Sequence, residues 1–121
     1  MTIDILKSKL HRVRVTEACL DYEGSLTLDP DWMDAAGIVQ YEKILCADVE
    51  NGNRFETYAI AGERGKGTCC LNGAAAHQGK VGDRLIVMAF AHATPEEAAQ
   101  IVPKVLHFTQ HGLAHGSEKR Q

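Results

Sequence analysis

Ile44-Leu45-Cys46-Ala47-Asp48-Val49 and Arg54-Phe55-Glu56-Thr57-Tyr58-Ala59-Ile60 flank the pair Asn51-Gly52. Both runs are rich in strand formers, and Asn-Gly tolerates positive φ, so the stretch predicts a β-hairpin closed by a tight turn. In the second arm the period of two sends Phe55, Thr57 and Ala59 one way and Arg54, Glu56, Tyr58 and Ile60 the other. Arg54 and Tyr58 therefore share a surface.

Towards the C-terminus, glycines at 62, 65 and 67 mark an irregular connection. A short strand follows at Thr68 to Leu71, then Asn72-Gly73 with Ala74, Ala75 and Ala76, whose small side chains leave the backbone approachable. The run Leu85 to Phe90 reads as a strand buried on both faces of a small barrel, whose closed sheet would have no free edges. Thr94-Pro95-Glu96-Glu97 forms a capping box and starts a helix expected to end near Ile101. Val105 to Phe108 is a last strand, and residues 109–121, with few apolar anchors, are expected to form a loose tail.

Towards the N-terminus, Val13 and Val15 alternate with Arg12 and Arg14, the pattern of a half-buried strand running on towards Leu20. Asp29 to Gly37 carries a helix signature, with Asp29 as cap, Pro30 in the first turn, Gly37 as terminator, and Trp32, Met33 and Ala36 as the buried side. No repeat or linker divides the chain, so residues 1–121 are expected to form a single, mainly β domain with two short helices.

The chain has 121 residues, 45% hydrophobic and 24% charged, an ordinary globular composition. A net charge of -3 with scattered Lys and Arg offers no field for nucleic acid. The longest apolar run is too short to cross a membrane, and the expectation is a cytoplasmic protein. Cys19, Cys46, Cys69 and Cys70 lack zinc-site spacing and read as free thiols, the adjacent pair pointing to opposite faces of a strand. His111 and His115 lie four apart with no third ligand, so no metal site is expected.

Gly24-Ser25 lies between two strands, where a strained turn could bring the serine hydroxyl against the preceding carbonyl. Gly24 has no Cβ to obstruct that approach. Attack would give an ester, and elimination would cleave the chain and leave dehydroalanine, which hydrolyses to a terminal pyruvoyl group. Serine suits this because its oxygen is first nucleophile and then leaving group. Gly-Ser recurs at Gly116-Ser117, so the dipeptide alone decides nothing.

More specific are Lys9-Leu10-His11-Arg12, Tyr22-Glu23-Gly24-Ser25, Asp34-Ala35-Ala36-Gly37-Ile38, Arg54-Phe55, Thr57-Tyr58-Ala59-Ile60, Asn72-Gly73-Ala74-Ala75-Ala76-His77 and Val81-Gly82-Asp83, in that order. Together, from about Leu6 to Phe108, they resemble the aspartate 1-decarboxylase family. The resemblance implies a double-psi β-barrel, a homotetramer, and self-cleavage into chains 1–24 and 25–121. It also implies a pyruvoyl group derived from Ser25 that forms a Schiff base with L-aspartate and yields β-alanine for pantothenate and coenzyme A synthesis, without a metal. Some relatives need a maturation factor.

By the same resemblance Tyr58 donates the proton, Arg54 and Lys9 bind the two carboxylates, and Thr57, Asn72, Gly73, Ala74 and Ala75 contact substrate. Thr57 also polarises the scissile carbonyl, while His11 and Tyr22 support cleavage beside Gly24. Ala47, where many relatives carry tryptophan, and Cys69-Cys70, in place of branched apolar residues, depart from the pattern without touching Lys9, Ser25, Arg54, Thr57 or Tyr58. Two other readings are a ligand-binding barrel that never cleaves, and a hydrolase using Ser25 with His11, though no nucleophile elbow surrounds the serine.

Overall fold

The computed structural model describes residues 1–117. Its elements in chain order are β1 (Ile3–Arg14), β2 (Glu17–Cys19), β3 (Ser25–Leu28), α1 (Pro30–Ala36), β4 (Lys43–Asp48), β5 (Arg54–Ala61), β6 (Cys69–Asn72), a 3-10 helix (Gly73–His77), β7 (Arg84–Ala93), α2 (Pro95–Ala98), β8 (Lys104–Thr109) and β9 (Gly112–Ser117). The nine strands form one sheet in the order β2-β6-β3-β5-β4-β7-β1-β8-β9. Parallel pairs β1/β8, β2/β6 and β3/β5 are interleaved with antiparallel ones. This mainly β fold with short helices is consistent with a double-psi β-barrel.

The hydrogen-bonded ladder does not close, contrary to the expected edgeless barrel: β2 and β9 are its edges. Burial on β7 is also one-sided. Leu85, Val87 and Ala89 are fully buried, Ile86 and Met88 half-buried, and Phe90 exposed, because only one face of the strand meets the core. Opposite that face lie Leu10, Leu26, Leu28, Ile44, Cys46, Ala59, Leu71 and Leu106. Trp32 of α1 meets Phe108 of β8 edge to face at 4.9 Å, closing the core from the helix side.

Helix α1 has the expected ends and buried side: the Asp29 carboxylate accepts from the Asp31 amide, and Gly37 ends the helix in the left-handed region. The Thr94–Glu97 capping box is present too, although the α-helix stops at Ala98 and a single further turn reaches Ile101. The hairpin forms from β4 and β5, but its turn is wider than a two-residue one. The Asp48 carboxylate accepts from the amides of Glu50 and Asn51 and its backbone carbonyl from that of Gly52, so side chain and backbone close the turn together and residues 49–53 stay outside the strands.

The strand predicted from Val13 towards Leu20 is broken between β1 and β2. In place of a loose tail after Thr109, the chain reverses and pairs as β9 with β8. Ladder hydrogen bonds use the backbone alone, so few apolar side chains suffice. The remainder of the expected tail, residues 118–121, lies outside the described residues.

Candidate active site

Ser25 opens β3 with no exposed surface, and antiparallel pairing sets Asn72 of β6 directly opposite it. Asn72 Nδ2 donates to the Ser25 hydroxyl at 2.9 Å and to the Thr27 hydroxyl at 2.8 Å. Both hydroxyls lie on one pleat face, being two residues apart. The Ser25 hydroxyl itself donates to the Glu23 carbonyl over a long 3.4 Å.

Gly73, at φ +60°, presses against the turn before Ser25. A Cβ built on it would lie 2.6 Å from the Tyr22 carbonyl oxygen and 2.7 Å from the Gly24 nitrogen, closer than any side chain is tolerated. A Cβ on Gly24 would have nothing within 4 Å. The steric requirement assigned to Gly24 from sequence thus falls on Gly73, because the crowding comes from the neighbouring strand end.

Tyr58 reaches the site through strand register. Leu26 pairs in parallel with Ala59, so one step back along both strands sets Tyr58 beside Ser25 on the same face. Its half-buried ring lies 6.2 Å from that of Tyr41, centroid to centroid. Tyr41 has the left-handed φ of +70° and is held there by its amide bond to the Ala59 carbonyl at 2.8 Å. Tyr41 and Thr27 were not found from sequence, since neither a left-handed tyrosine nor a cross-strand register leaves a local mark.

The remaining candidates are spread more widely. Thr57 pairs with Ile44 on the opposite side of the pleat from Tyr58. Arg54 is exposed on Tyr58's face, four residues and about 13 Å along β5. Lys9 pairs with Met88, Met88 with Leu45, and Leu45 with Glu56, which separates Lys9 from β5 by three strand spacings, about 14 Å. Tyr22 and Ala74 are exposed, and Ala75 is buried in the 3-10 helix. One chain therefore brings together Ser25, Asn72, Gly73, Gly24, Tyr22 and, by register, Tyr58, but leaves Lys9 apart.

His11 lies on the same face as Lys9, its ring edge-on to His107 at 5.7 Å. Burial, followed by the charges of Lys9 and Arg12 and by His107, holds its pKa below the ordinary value, favouring neutral imidazole. Burial pushes the Cys46 thiol up to about 12 and raises Cys69 as well, so these two sulfurs stay protonated packing groups. Cys69 and Cys70 point to opposite faces, one paired with Leu28 and the other with Thr27.

A buried serine receiving an amide N–H, with a glycine pressed on the turn before it, can undergo attack on its own preceding carbonyl. The aspartate decarboxylase family model matches residues 1–113. The aspartate 1-decarboxylase of Clostridium botulinum (strain 657 / Type Ba4) is 54% identical over 106 residues, covering 88% of this chain and 84% of that protein. That of Caldicellulosiruptor saccharolyticus is also 54% identical over 106 residues, covering 88% and 83%. That of Salinibacter ruber is 52% identical over 107 residues, covering 88% and 73%. The chain belongs to the aspartate decarboxylase family.

Proposed function

We propose that the chain cuts itself between Gly24 and Ser25, that residue 25 becomes a covalently bound pyruvoyl group, and that the matured protein converts L-aspartate to β-alanine and carbon dioxide. The observation that carries this is the fully buried Ser25 hydroxyl held by Asn72, with Gly73 packed on the Tyr22–Gly24 turn. The pyruvoyl group supplies the electron sink for loss of the α-carboxylate.

The chain's own residues do the rest. Tyr58, one register step from Ser25, carries the proton for the former α-carbon. Arg54 presents its planar fork to one carboxylate, and Lys9 provides the second cation. Backbone amides of Gly73, Ala74 and Ala75 line the approach, and Thr57 acts on the scissile carbonyl.

Assembly as a homotetramer accounts for Lys9, since a second copy laid on the shared outward face would bring its own lysine over Ser25. A maturation factor would find Tyr22, Glu23 and Gly24 exposed. The product feeds pantothenate and coenzyme A synthesis, a cytoplasmic pathway.

Intact mass of the purified protein tests the reading. Two chains meeting between Gly24 and Ser25, together with β-alanine formed from aspartate, are expected. A single unbroken mass from material that still makes β-alanine would sink it.

A further inference from the structure

Cys70, Asn72, Ser25 and Thr27 occupy four adjacent positions on one face of the β3/β6 ladder. Asn72 is flanked on one side by the two hydroxyls and on the other by the Cys70 thiol, whose Sγ donates to Asn72 Oδ1 at 3.1 Å. A carboxamide fits such a gap in two orientations related by a half-turn. Hydroxyls both donate and accept, so they do not choose between the two. The thiol does choose, because its S–H donates and its sulfur accepts only weakly.

Cys70 is 5% exposed, which leaves little room for water to replace it. Burial first, then the neighbouring Glu17 and Cys19, raises its pKa and keeps the proton on sulfur.

We propose that Cys70 is a positioning residue for self-cleavage: it locks the Asn72 carboxamide with an N–H on Ser25 Oγ, and that N–H assists the step in which the chain breaks. The inference rests on Ser25 being the cleavage point. In the first step Ser25 Oγ attacks the Gly24 carbonyl carbon, the C–N bond breaks, and the hydroxyl proton passes to the released amine, giving an ester. In the second, loss of the Ser25 Cα proton forms a Cα=Cβ bond and breaks the Cβ–Oγ bond, so Gly24 departs with both oxygens as a carboxylate. The dehydroalanine left behind tautomerises, takes up water and releases ammonia to give the ketone.

Negative charge builds on Oγ in the second step, and a hydrogen bond to it strengthens as the charge grows. In the first step Oγ gives up electron density, and the same N–H brings no advantage. Losing the correct Asn72 orientation therefore slows elimination selectively, and ester accumulates.

The test follows full-length wild-type, Cys70→Val and Cys70→Ser chains by intact mass, with hydroxylamine quenching to split any ester at Gly24. Cys70→Val, which fills the space but cannot donate, should cleave about tenfold more slowly and show a larger hydroxylamine-sensitive fraction, the loss expected for one hydrogen bond to a charged group. Cys70→Ser keeps a donor, but its hydroxyl also accepts and so admits both orientations; it should cleave faster than Cys70→Val and more slowly than wild type, with intermediate ester build-up. Wild-type rates in Cys70→Val, slowing without ester, or a serine variant as slow as valine would overturn the proposal. If the wild-type chain itself never cleaves, the reading of Ser25 fails and the role of Cys70 falls with it.

Discussion

Gly73 sits so close to Gly24 that a single added carbon on Gly73 would lie 2.7 Å from the Gly24 backbone nitrogen. The 3-10 helix beginning at Gly73 is thus a wall for the turn before Ser25. All three atoms it would meet, the Tyr22 carbonyl oxygen and the Gly24 nitrogen and Cα, belong to the backbone, which cannot swing aside as a side chain would.

Gly73→Ala should therefore displace the Tyr22–Gly24 turn, add strain at φ +60°, and slow self-cleavage by at least about tenfold. Gly24→Ala, with open space at its Cβ, should cleave within about threefold of wild type. Intact mass against time compares them. Equal rates for the two variants would show that the close approach is not what positions the turn.

Ser25 and Tyr58 serve different steps in the proposed function, so their substitutions should separate. Ser25→Ala should abolish both cleavage and β-alanine formation, because no hydroxyl remains to attack. Tyr58→Phe should cleave normally and lose most decarboxylation, about 100-fold or more if the phenol is the general acid. Normal turnover by Tyr58→Phe would remove that role.

Local sequence was sufficient wherever the structure is made of local interactions. Asp29, Pro30 and Gly37 marked α1 because capping is a contact between near neighbours in the chain. Thr94 and Glu97 marked α2 for the same reason. The β4/β5 hairpin is legible from its alternation, yet the width of its turn is not, because the Asp48 carboxylate adds side-chain hydrogen bonds to the backbone ones.

Register between distant strands left no trace in the sequence. Ser25 and Asn72 meet although they lie 47 positions apart in the chain, and the motifs hinted at it only through resemblance. The displacement of Lys9 by three strands, the left-handed Tyr41 and the Cys70 contact are likewise products of packing. Strand β9 leaves no mark in the sequence because its pairing is carried by backbone rather than by apolar side chains.

Asp29 offers a stability test apart from the chemistry. Its carboxylate is 3% exposed and accepts from the amides of Asp31, Gly65 and Gly67, tying α1 to the glycine-rich connection. Burial is the largest single effect and raises its pKa, but these three bonds and the Arg64 charge together outweigh it and hold the pKa below the ordinary value. Asp29→Ala should cost about 2–4 kcal/mol by leaving the amides without their acceptor. Thermal unfolding within about 0.5 kcal/mol of wild type would contradict that.

Asp48 and Asp83 form a buried acid pair, 1% and 3% exposed, in hydrogen-bonding contact with each other. Asp48 Oδ2 meets no N–H or O–H donor among the described residues, and the Gly79 backbone packs so close that a Cβ there would collide with it. Two facing carboxyls with no other donor between them favour sharing a proton. Burial, then the Asp83 carboxyl, pushes Asp48 up to about 6, while the bond from Asp48 and the donors of Lys80 hold Asp83 below its ordinary value. Lys80 at 3.3 Å from Asp83, and Glu50 paired with Arg84 beside the turn, are the other charges facing the pair.

A carboxyl whose folded pKa is raised supports the fold while protonated, so the Asp48 contribution is complete below the ordinary carboxylate range and disappears as pH rises through about 6. Asp83 acts in the opposite sense, losing its contribution only at lower pH. Asp48→Asn keeps the acceptor for Glu50 and Asn51 and gives Asp83 a permanent N–H donor. It should match wild type near pH 4 and exceed it by roughly 1–3 kcal/mol above pH 7. Denaturant unfolding across that range reads the difference, and a gap between the two proteins that stays constant with pH would mean that no proton is shared.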